Sequence, residues 1–142
     1  MKKHPIPDFT IYLKEYLERN YPEKATDSRF IEQRNGLAQQ TYSDNMAQHS
    51  NHDLSMERAM GTLLKDYMFS KFDAVFDAVC EDSTNALSPD EAVVYVNSLM
   101  RDCETVFRRH IIRDDLLCGE EYLQLKQELK NLVALKDKVE KT

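Results

Sequence analysis

The run Ser88-Pro89-Asp90-Glu91-Ala92-Val93-Val94-Tyr95-Val96-Asn97-Ser98-Leu99-Met100-Arg101-Asp102-Cys103-Glu104-Thr105-Val106-Phe107 carries a helix start and a helix face in one stretch. Ser88 is suited to accept a hydrogen bond from an orphan donor, Pro89 has no donor to orphan, and Glu91 stands where a capping box places its acid. Ala92, Val96, Leu99, Cys103, Val106 and Phe107 then recur at spacings of three and four, with Val93 and Met100 at the margins. The spacing predicts one long amphipathic helix from Ser88 to about Arg109.

The same pattern extends in both directions. Toward the N-terminus, Ser70 and Asp73 have capping-box spacing and open a helix carrying Phe72, Val75, Phe76, Val79 and Cys80, with a bend near Phe69. Before it, residues 55 to 68 place Ala59, Met60, Leu63, Leu64 and Tyr67 inward, after a turn at Ser50-Asn51-His52-Asp53. A helix from Thr26 or Asp27 to about His49 carries Phe30, Ile31, Leu37, Ala38, Thr41, Tyr42 and Met46 on a broad, polar stripe. Residues 9 to 20 form another, begun near Asp8 and ended at Tyr21-Pro22, with Phe9, Tyr12, Leu13, Tyr16 and Leu17 inward. Toward the C-terminus, the loop His110 to Gly119 leads to a last helix from Glu120 with Tyr122, Leu125, Leu129, Leu132 and Val139 in register. The expected fold is all-α: a single-domain bundle of about six helices over residues 1–142, with 1–7 as a frayed tail.

At 142 residues the chain is long enough to bury about two thirds of its unfolded surface without staples. Cys80, Cys103 and Cys118 are odd in number, widely spaced and free of a CxxC pair, which argues against a zinc site or a secreted disulfide framework. Pro5, Pro7 and Asp8 interrupt the apolar run that a signal peptide needs, and no segment approaches the roughly 18 apolar residues of a membrane span. The expectation is a cytoplasmic protein that contacts no membrane.

Net charge is −6, distributed unevenly. Between Phe72 and Met100 stand six acids, Asp73, Asp77, Glu81, Asp82, Asp90 and Glu91, with no Lys, Arg or His. The remaining 25 − 6 = 19 acids balance 19 Lys plus Arg. Duplex binding requires the opposite, a basic face that neutralises phosphates, so direct nucleic-acid binding is a poor fit.

Few patterns point to chemistry. His4, His52-Asp53 and Asp114-Asp115 share only residue order with metal-dependent phosphohydrolases, and Asp53 has a simpler use as a helix starter. No catalytic residue, cofactor or metal is assigned. Cys80 and Cys103 lie on apolar stripes as small hydrophobes; Cys118, just before a helix start, is the one thiol placed for reactivity. Arg34 lies between Phe30, Ile31 and Ala38 on an inward face and is expected in a buried ion pair with a carboxylate, or else as a ligand anchor. Asp73, Asp77 and Glu81, at i, i+4 and i+8 with Asp82 beside them, repel along one ridge. That ridge is expected to pair with Arg108, Arg109 and Arg113, to be simply solvated, or to form a protein-binding face.

Tyr12-Leu13 with Tyr16-Leu17, Tyr21-Pro22, Phe30-Ile31-Glu32 with Arg34, Phe69-Ser70-Lys71-Phe72-Asp73 and Glu121-Tyr122, in this order, resemble the small bacterial family called domain of unknown function number eighteen-ninety-six. The resemblance covers about residues 9 to 135. It implies an all-helical domain, encoded by gut anaerobes and often near conjugative elements, and brings no activity or ligand. The chain departs from the family pattern at Cys118-Gly119, where Ser-Pro is usual.

The sequence thus leads to a non-enzymatic helical module for protein-protein interaction, tied to a mobile genetic element, with an unidentified protein partner and a homo-oligomer left open. Two alternatives stand beside it: a small-molecule enzyme or sensor with a polar interhelical site near Arg34, and an acidic DNA mimic.

Overall fold

The computed structural model describes residues 5–81 and 87–140, with the side chains of Cys118 and of residues 138–140 left out. The fold is all-α, as the periodicity requires. Among the described residues there are seven α-helices, one 3-10 turn and no strand. The helices are α1 Thr10–Asn20, α2 Pro22–Ala25, α3 Ser28–Ala47, α4 His52–Leu63, α5 Lys71–Glu81, α6 Pro89–Phe107 and α7 Glu120–Glu140, with the 3-10 turn at Leu116–Cys118. Internal contacts divide the chain into two compact units, Met1–Met68 and Phe69–Thr142, each with its own apolar core.

The first unit is built on an α3/α4 hairpin. Asn45 meets Arg58, Thr41 meets Thr62 and Arg34 meets Lys65, so ascending positions of α3 face descending positions of α4 and the pair is antiparallel. Asp27 caps α3 by accepting from the Phe30 N–H at 3.0 Å, and Asn51 caps α4 by accepting from the Leu54 N–H at 2.7 Å. Between them the chain leaves α3 through His49, whose φ of 66° is left-handed. Ser50 N–H donates to Asn45 O and His49 N–H to Met46 O, the two bonds of a Schellman closure with histidine where glycine is usual. Leu13 and Leu17 of α1, Ala25 of α2, Ile31, Ala38 and Tyr42 of α3, and Ala59 and Leu63 of α4 form the core with Phe9. Tyr16 Oη donates to Tyr67 O at 2.6 Å, fastening α1 to the segment after α4.

The second unit packs α5, α6 and α7 around Phe72, Val75, Val79, Val96, Leu99, Phe107, Leu125 and Leu129. Burying each such side chain stabilises the unit by roughly 1.5–3 kcal/mol. Lys71 pairs with Glu104 at 3.2 Å, Lys136 with Asp102 at 3.0 Å and Lys126 with Glu81, so α6 runs antiparallel to both neighbours and α5 runs parallel to α7. Asp137, buried on α7, accepts a hydrogen bond from Tyr95 Oη of α6. All six residues predicted inward on α6 are buried, and Ser88 Oγ accepts from the Glu91 N–H at 3.2 Å as its cap.

Several expectations need correction. Pro22 does not simply end the first helix; it occupies the first turn of the short α2, where its missing N–H is harmless. The third predicted helix lies at 52–63 rather than 55–68, because Asn51 caps it early and Asp66, at φ 73°, turns the chain before Tyr67. Tyr12 and Leu37 are exposed, and Cys80 faces outward beside the Val75/Val79 stripe. The tail expectation for residues 1–4 and the inward placement of Val139 lie outside the described residues and side chains. Pro7, at the end of that predicted tail, accepts a hydrogen bond through its carbonyl from Gln39 Nε2.

Ser88→Ala should lower stability by about 1 kcal/mol in urea unfolding, since the Glu91 donor loses its partner. His49→Gly should act in the opposite direction, raising stability by roughly 0.5–1 kcal/mol because the left-handed backbone is retained without a Cβ penalty. A drop on His49→Gly would mean that the imidazole itself contributes more than the backbone relief.

Candidate functional site

The ridge of α5 is set by its buried face. Phe72, Ala74, Val75, Ala78 and Val79 turn inward, which leaves Asp73, Asp77 and Cys80 outward. The Ser70 hydroxyl caps the helix by accepting from the Asp73 N–H at 3.1 Å. Asp73 and Asp77 make no ion pair among the described residues, although Asp77 lies close enough to Tyr122 to help hold its phenol above the usual range, behind the larger effect of burial. Glu81 differs. It is gripped by Lys126 and, at 2.5 Å, by Lys130, one helical turn apart on α7, and their hydrogen bonds hold its carboxyl below the usual range. The expected pairing with Arg108, Arg109 and Arg113 is therefore replaced by pairing with lysines of α7. Asp82 lies outside the described residues.

Arg34 is half-buried, and its partners among the described residues are carbonyls rather than a carboxylate. Nη1 donates to Lys65 O at 2.7 Å and to Thr62 O at 3.3 Å, while the guanidinium lies 4.8 Å from the centre of the Phe30 ring. The physical reason is the end of α4. Its last carbonyls have no intrahelical donor, and a cation there also meets the negative end of the helix dipole. An inward-facing arginine can thus be satisfied by a neighbouring helix terminus, an option that residue spacing does not display.

The histidines are likewise engaged. His52 opens α4 and its Nδ1 lies 2.9 Å from the hydroxyl of buried Tyr42, a link across the α3/α4 hairpin. Asp53 stands in the first turn of α4, and Asp115 pairs with Arg113 at 2.6 Å. His4 is outside the described residues. No group of three or more His, Cys, Asp or Glu side chains that could hold a metal gathers among the described residues. Cys103 is buried, and burial pushes its thiol up to about 12, far from a nucleophilic thiolate.

A cluster that residue spacing does not reveal surrounds His110. Its side chain is 8 % exposed and sits between two carboxylates of α7, hydrogen bonded through Nε2 to Glu128 and with Nδ1 3.8 Å from Glu121. Arg109 pairs with Glu128 and Arg113 with Glu121, each at 3.2 Å. The hydrogen bond from His110 is the main reason the Glu128 carboxyl lies below its usual range, outweighing burial. The only signal in the sequence is that Glu121 and Glu128 are seven apart, hence on one side of a helix.

The first unit also has an open groove of about 740 Å³. Ile11, Ala25 and Ile31 supply apolar lining, and Lys14, Glu18 and Glu32 supply charge; no histidine or cysteine lines it, nor does Arg34.

Arg34→Ala should destabilise the protein by about 1–2 kcal/mol, the scale of a partly buried cation at a helix C-terminus. A buried ion pair with a carboxylate would instead give about 3–5 kcal/mol. Chemical unfolding of the variant distinguishes the two, and a loss in the higher range would contradict the carbonyl assignment.

Comparison with known proteins gives a family without an activity. No curated protein matches the chain. Among solved structures, protein PG0816 from Porphyromonas gingivalis is similar, with 24% identity, a TM-score of 0.69 and coverage of 93% of this chain and 90% of that one, a likeness of fold. The family model described as "Domain of unknown function (DUF1896)" matches residues 2–140. With nearly the whole length matched, the chain belongs to the DUF1896 family.

Proposed function

We propose that the protein is a non-enzymatic interaction module whose contact face includes the outward ridge of α5, and that its partner is a protein with a basic surface. The observation that carries this reading is the unequal treatment of three acids on one helix. Glu81 is neutralised by two lysines, whereas Asp73 and Asp77, exposed on the same ridge, make no ion pair among the described residues. Like charges four apart on a helix cost about 0.2–0.5 kcal/mol, so a free pair is a small standing cost that a basic partner would offset. An acidic DNA mimic gains less support, since mimicry needs a run of free anions and this ridge is interrupted at Glu81. A ligand site at Arg34 is also weaker, since the guanidinium already serves the end of α4. A role within a mobile genetic element rests on the family resemblance and belongs to the same proposal.

The test is affinity capture from the native host with the wild-type chain and with an Asp73→Asn/Asp77→Asn variant, followed by binding kinetics with the recovered partner. The variant should keep its stability within about 0.5 kcal/mol, as exposed substitutions do. Association with the partner should slow several-fold, by about 3- to 10-fold at low salt, with much less effect on dissociation. Equal association rates across a range of salt would remove the ridge from the contact face. A stability loss above ~1 kcal/mol would assign the two acids to the fold instead.

A further inference from the structure

We propose that His110 is a proton-controlled latch, in which the proton on Nδ1 decides how firmly the connection between α6 and α7 is held against α7. The geometry is asymmetric about the ring. Nε2 is hydrogen bonded to Glu128, and Nδ1 faces the Glu121 carboxylate at 3.8 Å, too far for a hydrogen bond but close enough for a charge contact. An imidazolium presents positive charge to both acids. A neutral ring that donates to Glu128 turns the lone pair of Nδ1 toward a carboxylate, and the contact with Glu121 changes from attraction to repulsion.

The surroundings make this a local device. Glu121 and Glu128 face the ring from α7; Arg109 pairs with Glu128 just beyond the end of α6, and Arg113, which also pairs with Asp115, holds Glu121. The acids that pair with the ring among the described residues are these two of α7. With its side chain 8 % exposed, the ring has little access to water that could screen the change. The two arginines keep the carboxylates in place in either state, so proton loss weakens the latch without dispersing its parts. Glu128 bounds the behaviour on the acid side. Its carboxyl is held below the usual range, so its contribution is present above the unfolded carboxylate pKa and is lost as pH falls through the lowered folded value. The connection so held carries Ile111 and Leu117, apolar side chains 73 % and 60 % exposed, and the proton therefore governs how rigidly an apolar surface is presented.

Backbone hydrogen exchange of the full chain, read by mass spectrometry and corrected for intrinsic rates, tests this at about pH 5.5 and about pH 8. Protection of residues 108–121, taken relative to α1, should fall about tenfold between the two conditions in the wild type and change less than about twofold in His110→Gln. A wild-type ratio that does not change with pH overturns the latch, as does a His110→Gln variant with the wild-type change. Should His110→Gln not fold, Glu121→Gln replaces it. That variant removes the acid facing Nδ1 but keeps Glu128, and it should reduce the wild-type change at least about threefold, whereas an undiminished change overturns the proposal.

Discussion

Every helix end leaves donors or acceptors without intrahelical partners, and the described residues close seven helices with three glycines, none of them in the left-handed region. Side-chain caps at the N-terminal ends and non-glycine left-handed residues at C-terminal ends close them. Asp27, Asn51, Ser70 and Ser88 satisfy N-terminal donors, and His49 and Asp66 adopt the left-handed backbone after α3 and after α4. Arg34 completes the set by reaching across the α3/α4 hairpin to the Thr62 carbonyl in the last turn of α4 and the Lys65 carbonyl just beyond it. What the sequence presented as a buried ion pair, or else a ligand anchor, is a charge closing a helix. The same constraint accounts for the turn at 48–51, where closure of α3 and capping of α4 use consecutive residues and bring His52 to Tyr42.

The parts of the fold legible in the sequence are those where one periodicity and one cap agree. On α6, Ser88 and Pro89 fix the start and six spaced apolar residues fix the face, and both are as read. Legibility fails where a residue has two uses. Asn51 reads as turn or as cap, Pro22 as stop or as first-turn residue, and Leu64 and Tyr67 continue a helical spacing past the end of the helix at Leu63. Leu37 and Tyr12 fall in register with apolar neighbours yet remain at the surface. Spacing gives the side of a helix that a residue occupies, but the width of the buried face depends on what packs there.

The candidate site was legible to a lesser degree, for a related reason. Periodicity puts Asp73, Asp77 and Glu81 on one ridge, and Asp73 and Asp77 are exposed there. It carries no information about the register of α5 against α7, and that register gives Glu81 its lysines. The His110 cluster joins residues 8 to 19 positions apart and depends wholly on how the chain returns after Phe107. Ionic partners between helices are tertiary facts. A sequence can supply both members of a pair while leaving the pairing unread.

The charges of α7 show why the pairing in this unit is nonetheless specific. At about 100° per residue, Leu125, Leu129 and Val133 form one apolar seam, Glu121 and Glu128 fall on one flank of it and Lys126 and Lys130 on the other. The acidic flank meets His110 and Arg109, and the basic flank meets Glu81 at the end of α5. Exchanging the neighbours of α7 would set Glu128 toward Glu81 and lysines toward Arg109 while burying much the same apolar area. Apolar burial makes α7 pack, and the two charged flanks choose which way it packs. Charges used for that choice are engaged within the unit. Asp73 and Asp77, a turn or more before Glu81, make no ion pair with either flank among the described residues, although Asp77 is close enough to act on Tyr122 and Lys126.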